Sequence, residues 1–185
     1  LPEGEWFVKG ETNSLKNLWF EACFAPTTKD LVRVTGRVLA DNVTGSQEIV
    51  IKPFQNFRRL ATGVTGQPIF HERRVFVLDG TVLSDGFYWS SWVDEIGDVD
   101  YDRDVFLGTV NAAVERVKHL ARFNVIDFAQ YEDGNWGVVE INDGCMSGLS
   151  ENNPVVLWKN FSEVLNNQKI IMRSKPVQQN NILKR

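Results

Sequence analysis

The sequence predicts a mixed fold of helices and antiparallel hairpins, on the strength of three patterns. Asp79-Gly80 stands between two apolar runs, Glu72 to Leu78 and Thr81 to Leu83, which is the strongest short-range signal for a β-hairpin. Glu132-Asp133-Gly134-Asn135 stands in the same way between Asn124 to Gln130 and Trp136 to Asn142, giving a second hairpin. From Asp102 to Phe123, between the hairpins, Val105, Phe106, Val110, Ala113, Val114, Val117 and Leu120 recur every three or four positions, the period of one helical face.

The remaining elements follow in chain order. Trp6 to Gly10 reads as a short strand ending in a turn, and Glu11-Thr12-Asn13-Ser14 offers cap residues before a helix over Leu15 to Glu21. Leu31 to Leu39 alternates apolar and polar residues with β-branched side chains and is predicted as a strand. Glu48 to Phe54 is a second, apolar strand stopped by Pro53. Residues 55–67 are polar and basic with Gly63 and Gly66, the pattern of an exposed loop. Val155 to Val164 predicts another short helix, and the tail from Arg173 to Arg185 is polar and expected to fray.

Composition narrows the class. With 185 residues, the chain fits one compact unit that can comprise two lobes, and 43% hydrophobic with 24% charged residues is ordinary for a folded globular protein. Twenty Lys and Arg against 24 Asp and Glu leave a net charge of −4, so any anion site must be a local pocket rather than a general surface property. Cys23 and Cys145 form no C-x-x-C pair, and only His71 and His119 could join them, which argues against structural zinc and for two reduced, buried packing cysteines in a cytoplasmic protein. No apolar run is long enough to span a bilayer. The opening Leu1-Pro2-Glu3, without an initiator Met, is read as a processed end or as part of a longer product.

Familiar short motifs fail. Gly10 and Lys16 lack the rest of a phosphate-binding loop, and Gly144-Cys145-Met146-Ser147-Gly148 is not a nucleophile elbow. Strand alternation puts Glu140 and Asn142 on one face and Ile141 on the other, while Asp127 lies on the neighbouring predicted strand. Two carboxylates and an amide oxygen, completed by water and phosphate, suit Mg²⁺, although polar residues at a strand end would look the same. Glu72 and Arg74 also share a face, and the arginine fork can grip a phosphate or serve a cross-strand ion pair. Lys9, closing an apolar strand, is either a snorkelling edge residue or a phosphate-neutralising cation.

Taken in order, Phe7-Val8-Lys9-Gly10, Glu48 to Phe54, Glu72-Arg73-Arg74-Val75-Phe76-Val77-Leu78-Asp79-Gly80, Val125 to Ala129, Gly137 to Gly144 and Ser147-Gly148-Leu149 resemble the ATP-grasp superfamily. Within it they most resemble the clade named for two arginines and one lysine. The resemblance implies an α+β fold in which two lobes with antiparallel sheets clasp a nucleotide cleft. It implies an N-terminal lobe over residues 1–54, a C-terminal lobe over 55–170 and a polar tail over 171–185. Lys9 would contact nucleotide phosphates, and Glu48, Ile51, Lys52 and Phe54 would belong to the inter-lobe segment whose backbone contacts adenine. Arg74 would face the γ-phosphate or acyl phosphate, and Asp127, Glu140 and Asn142 would bind magnesium. The sequence departs from the pattern in having no domain before the Lys9 strand and only Gly10 to Ser14 as a lid.

The implied reaction transfers the γ-phosphoryl group of ATP to a small-molecule or peptide carboxylate, and an amine or similar nucleophile then displaces phosphate from the acyl phosphate. The resemblance leaves room for a missing N-terminal domain or partner chain beside this one. The rival readings are a catalytically degenerate module that binds nucleotide or protein, and nucleic-acid binding through Arg58, Arg59, Arg73 and Arg74, the latter disfavoured by the acidic balance. No membrane partner is expected.

Overall fold

A computed structural model describes residues 1–90, 93, 96 and 99–174. The chain forms two compact units: Leu1–Glu72 with Trp89–Val105 and Ala129–Gly137, and Arg73–Tyr88 with Phe106–Phe128 and Val138–Arg185.

In the first unit, β1 (Trp6–Gly10) lies between β2 (Phe24–Ala25) and β3 (Ile49–Pro53) in an antiparallel sheet. Alternation turns Trp6 and Val8 inward, where they meet Ala22, Ala25, Leu31, Val34 and Val38 in one apolar cluster. The last three belong to a helix, α1 (Leu31–Leu39), not to the predicted strand. Leu31, Val34 and Val38 are buried at spacings of three and four, while Val32 is 84% exposed. Burial against β1 therefore chose the helical period over the β-branched preference. Asp41 then stops the chain, its Oδ1 accepting the N–H groups of Val43 and Thr44 at 2.9 and 3.0 Å.

The helix expected over Leu15 to Glu21 is two short turns instead, a 3₁₀ turn at Lys16–Leu18 and a wide π turn at Trp19–Cys23 that buries Trp19, Ala22 and Cys23. Burial pushes the Cys23 thiol up to about 12, but Cys145, expected to be buried, is exposed. The stretch expected as a loop carries β4 (Arg59–Thr62), which pairs antiparallel with β5 (Pro68–Phe70). The turn between them is closed by Gly66 at φ 84° and by the buried Gln67, whose Oε1 accepts the Thr65 N–H at 3.1 Å. The short strand Arg59–Thr62, whose two apolar residues Leu60 and Ala61 are adjacent, had too little apolar alternation to be read from sequence.

The four-stranded sheet runs β7-β6-β8-β9, with β6 (Glu72–Leu78), β7 (Thr81–Phe87), β8 (Phe123–Gln130) and β9 (Trp136–Asp143). Both predicted hairpins are present. Asp79 and Gly80 take φ of 48° and 80°, the left-handed pair that a two-residue hairpin turn demands. α2 (Arg103–Val117) buries Phe106, Val110, Ala113 and Val114, and its start is capped by Asp102, which accepts the N–H groups of Asp104 and Val105. It ends earlier than the sequence pattern, because Phe123 opens β8.

α3 (Pro154–Ser174) begins with proline at its first position and Asn153 as its cap, Oδ1 accepting from Val155 N–H at 2.9 Å. It is longer than the predicted Val155–Val164. Leu157 joins Phe76, Leu78, Leu83 and Val125 in the second unit's core, with Phe123, Phe161, Val164 and Leu165 packed against it. The expected tail overlaps the end of this helix, and residues 175–185 lie outside the described residues. Among the described residues no helix is long and apolar enough to cross a membrane.

Candidate nucleotide and metal site

The second unit brings Arg74 and Asp127 face to face. The Gln130 N–H bonds to His71 O and the Asp79 N–H to Arg122 O, so β6 and β8 run antiparallel with ends eight residues apart on both strands. Carried through the pair, that register sets Arg74 opposite Asp127. The side chains complete it: Arg74 Nε donates to Asp127 Oδ1 at 2.8 Å and Nη2 to Oδ2 at 2.7 Å. The Arg74 and Asp127 side chains are 9% and 1% exposed, so this is a buried, two-bonded ion pair.

Three further groups fix the guanidinium and its strand. Nη1 donates to the Gly148 carbonyl at 2.9 Å, and the group lies 4.7 Å from the centre of the Tyr88 ring. Asn152 Nδ2 donates to the Arg74 carbonyl at 3.1 Å and to Leu149 O at 3.0 Å, tying the loop after β9 to β6. The same loop presses its backbone at Glu151 and Asn152 onto Gly86 of β7, where any Cβ would collide with it. Glu72, on the same strand face as Arg74, is buried, with Oε2 accepting Trp89 Nε1 at 2.9 Å.

Arg73 turns to the opposite face, where its Nε donates to Asp85 Oδ2 at 2.7 Å. Arg73 and Arg74 are thus each satisfied by a carboxylate inside the unit, and neither offers the exposed cation that nucleic-acid binding needs.

Glu140 and Asn142 lie on β9, half-buried and on one strand face, with Ile141 exposed on the other. The Gly144 N–H bonds to Phe123 O, and counting back along the two strands places Glu140 beside Asp127. Among the described residues no group of three or more His, Cys, Asp or Glu side chains is arranged to hold a metal by itself. One carboxylate plus one amide oxygen, with the remaining coordination left to water and phosphate, fits Mg²⁺. Asp127 already accepts two bonds from Arg74, but an ionised carboxylate has about four lone-pair sites and can accept further.

In the first unit, Lys9 and Lys52 share the face of the β1–β3 pair opposite α1, because Lys9 pairs with Val50 and Phe7 with Lys52. Lys52 Nζ lies 5.4 Å from the Phe7 ring centre, and both lysines are half-buried. Phe54 N–H bonds to Glu5 O, so the alternate residues Ile49 and Ile51 direct their backbone groups away from β1. β3 is the edge of its sheet, which leaves the Ile51 backbone pointing outward. Glu48 is exposed just before β3, and the Phe54 ring packs against Phe24 at 4.8 Å.

Sequence reasoning did not find Tyr88, Asn152 or the Gly148 carbonyl as partners of Arg74. Ser147-Gly148-Leu149 carried the only signal, as a matching triplet without a role.

The fold has counterparts among known proteins. A family model described as an ATP-grasp domain, family 3 of the clade named for two arginines and one lysine, matches residues 1–161. A D-alanine-D-alanine ligase from Coxiella burnetii shares the fold with a TM-score of 0.53 at 14% identity, covering 91% of this chain and 48% of that one. A D-cycloserine synthetase, DcsG, does so with a TM-score of 0.50 at 16% identity, covering 89% and 55%. Identity that low shows the fold alone, and this chain spans about half the length of those structures. No curated protein matches. The chain has the α+β ATP-grasp fold and belongs to the third ATP-grasp domain family of the two-arginine, one-lysine clade.

Proposed function

We propose that this chain carries the nucleotide-handling part of an ATP-dependent ligase that activates a carboxylate for attack by an amine. The observation that carries the reading is Arg74 held rigidly on Asp127 beside Glu140 and Asn142. Phosphoryl transfer needs fixed positive charge and positioning more than a protein nucleophile. In the reaction, a carboxylate oxygen attacks the γ-phosphorus and the bond to the β-bridging oxygen breaks, releasing ADP. The amine then attacks the acyl carbon, loses its proton, and inorganic phosphate leaves.

The residues divide the work. Lys9 and Lys52 neutralise nucleotide phosphates, and the outward backbone of Ile51, with Glu48 and Phe54 flanking it, recognises adenine. Arg74 stabilises the charge on the group in transfer. Glu140 and Asn142, with Asp127, would hold Mg²⁺, which supplies further neutralisation of phosphate oxygens. ATP and two reduced cysteines suit a cytoplasmic setting.

One observation favours a binding module instead. The Arg74 guanidinium commits Nε, Nη1 and Nη2 to Asp127 and Gly148. An arginine so satisfied can be purely architectural. ADP release, measured with Mg-ATP and a panel of carboxylates and amines, separates the two. Release that falls more steeply than ATP affinity in Arg74→Lys supports the ligase, since lysine keeps the charge and loses the fork. ATP binding without ADP release across the panel supports the module.

A further inference from the structure

The first unit holds a pocket that shares one residue, Phe54, with the proposed nucleotide site. About 380 Å³ in volume, it is walled by the rings of Trp19, Phe24, Phe54, Phe57 and Phe70, with the 58%-exposed Phe20 at its lip. The rings meet edge-on, tilted or stacked, Phe24 to Phe54 at 4.8 Å and Phe57 to Phe70 at 5.7 Å, an aromatic lining of the kind that receives another ring. Gly66 keeps one wall open, because a Cβ there would stand 3.1 Å from the Phe20 ring.

Three polar residues also line it: Arg59, Glu132 and Asn56. Arg59 donates Nε to Ala61 O and Nη2 to Thr62 Oγ1, which steadies the guanidinium while its Nη1 stays outside those bonds. Glu132 and Asn56 are exposed. A ligand with one acidic and one basic group beside a ring matches this lining. A plain organic cation, which aromatic cages otherwise favour, would meet the Arg59 charge.

Phe24 shares the sheet face of the candidate phosphate-binding lysines, because it pairs with Phe7 and Phe7 pairs with Lys52. Lys9 and Lys52 themselves do not line the pocket, and the Trp19 ring on its wall lies 5.9 Å from Phe7 and 6.1 Å from Phe54.

We propose that this pocket binds an aromatic α-amino acid, free or as a peptide end, with the ring among Trp19, Phe24, Phe54, Phe57 and Phe70, its carboxylate on Arg59 and its ammonium on Glu132. As a candidate ligation partner, this ligand rests on the ligase reading; as a binding site it does not.

Saturation-transfer NMR with L-phenylalanine as the probe tests it on the whole chain. L-phenylalanine is expected to bind at millimolar concentration, with L-alanine giving no signal. Arg59→Ala and Glu132→Ala, both at the surface, are each expected to weaken binding about fivefold or more while leaving circular dichroism unchanged. Saturating Mg-ATP is expected to leave the signal in place. Absence of transfer at millimolar L-phenylalanine overturns the proposal, as does undiminished binding in either variant, which would mark unspecific adhesion. Displacement by Mg-ATP overturns it too, since the pocket would then be the base's. L-phenylalanine binding without ADP release sinks the ligase reading alone, and ADP release without L-phenylalanine binding sinks this proposal alone.

Discussion

The two units hold their charged candidates in opposite ways. In the second, Arg74 and Asp127 are buried and joined by two hydrogen bonds, with a carbonyl and an aromatic ring completing the guanidinium's surroundings. In the first, Lys9 and Lys52 sit half-buried on the sheet face opposite α1, Lys52 on the edge strand itself. Desolvation accounts for what this difference means. A buried charge is tolerated only with its partner, so the Arg74–Asp127 pair is also part of the second unit's stability, whereas a half-exposed lysine can be lost at less cost to the fold.

The largest expected effect follows from the buried pair. Asp127→Ala leaves the Arg74 charge buried without its bidentate partner and should cost roughly 3–5 kcal/mol in urea denaturation. Loss of less than about 1 kcal/mol would show that water or another carboxylate readily replaces Asp127. The double variant Arg74→Met/Asp127→Leu isolates the cause. Well-packed apolar side chains should return stability to within about 1–2 kcal/mol of the parent, because the desolvation penalty goes with the charges. If the ligase reading holds, ADP release should stay abolished in that restabilised variant.

The complementary effects in the first unit are on binding rather than folding. Lys9→Ala should weaken Mg-ATP binding in calorimetry by about 1.5–3 kcal/mol, the worth of one charge-assisted contact, with unfolding shifted by no more than about 0.5 kcal/mol. A stability loss matching that of Asp127→Ala would erase the contrast between the units. Glu140→Ala, on a half-buried strand face, should behave like Lys9→Ala and lower ATP affinity only when Mg²⁺ is present. Equal loss with and without the metal would remove Glu140 from the metal set.

The smallest effect is a pH dependence outside either site. Backbone N–H groups of Thr44 and Val43 hold the Asp41 carboxyl below the ordinary carboxylate range. A depressed acid contributes stability above its unfolded pKa, about 3.9, and loses it as pH falls through the folded value. Asp41→Asn should therefore be slightly less stable than the parent at neutral pH, with the gap closing below about pH 4 in thermal melts. A gap that persists in acid would mean that Asp41 acts through shape rather than charge.

Local features were legible in the sequence. Asp79-Gly80 wrote its own turn because glycine and aspartate accept positive φ cheaply, and the observed φ of 48° and 80° need nothing distant. The spacing of Phe106, Val110, Ala113 and Val114 specified α2, and alternation alone put Glu140 and Asn142 on one face. The ordered run of motifs was enough to indicate the family.

Everything else depended on partners far along the chain. Leu31–Leu39 fits both periods, and only the apolar surface of Trp6 and Val8 made it a helix. Arg59–Thr62 has no apolar pattern of its own and became a strand by pairing with Pro68–Phe70. Arg74 and Asp127 are 53 residues apart, and Arg74 and Gly148 are 74 apart. Residue types announced that a cation and a carboxylate were present. Which would hold the other was settled by strand register and burial, since a desolvated charge takes the partner that the packed sheet sets opposite it.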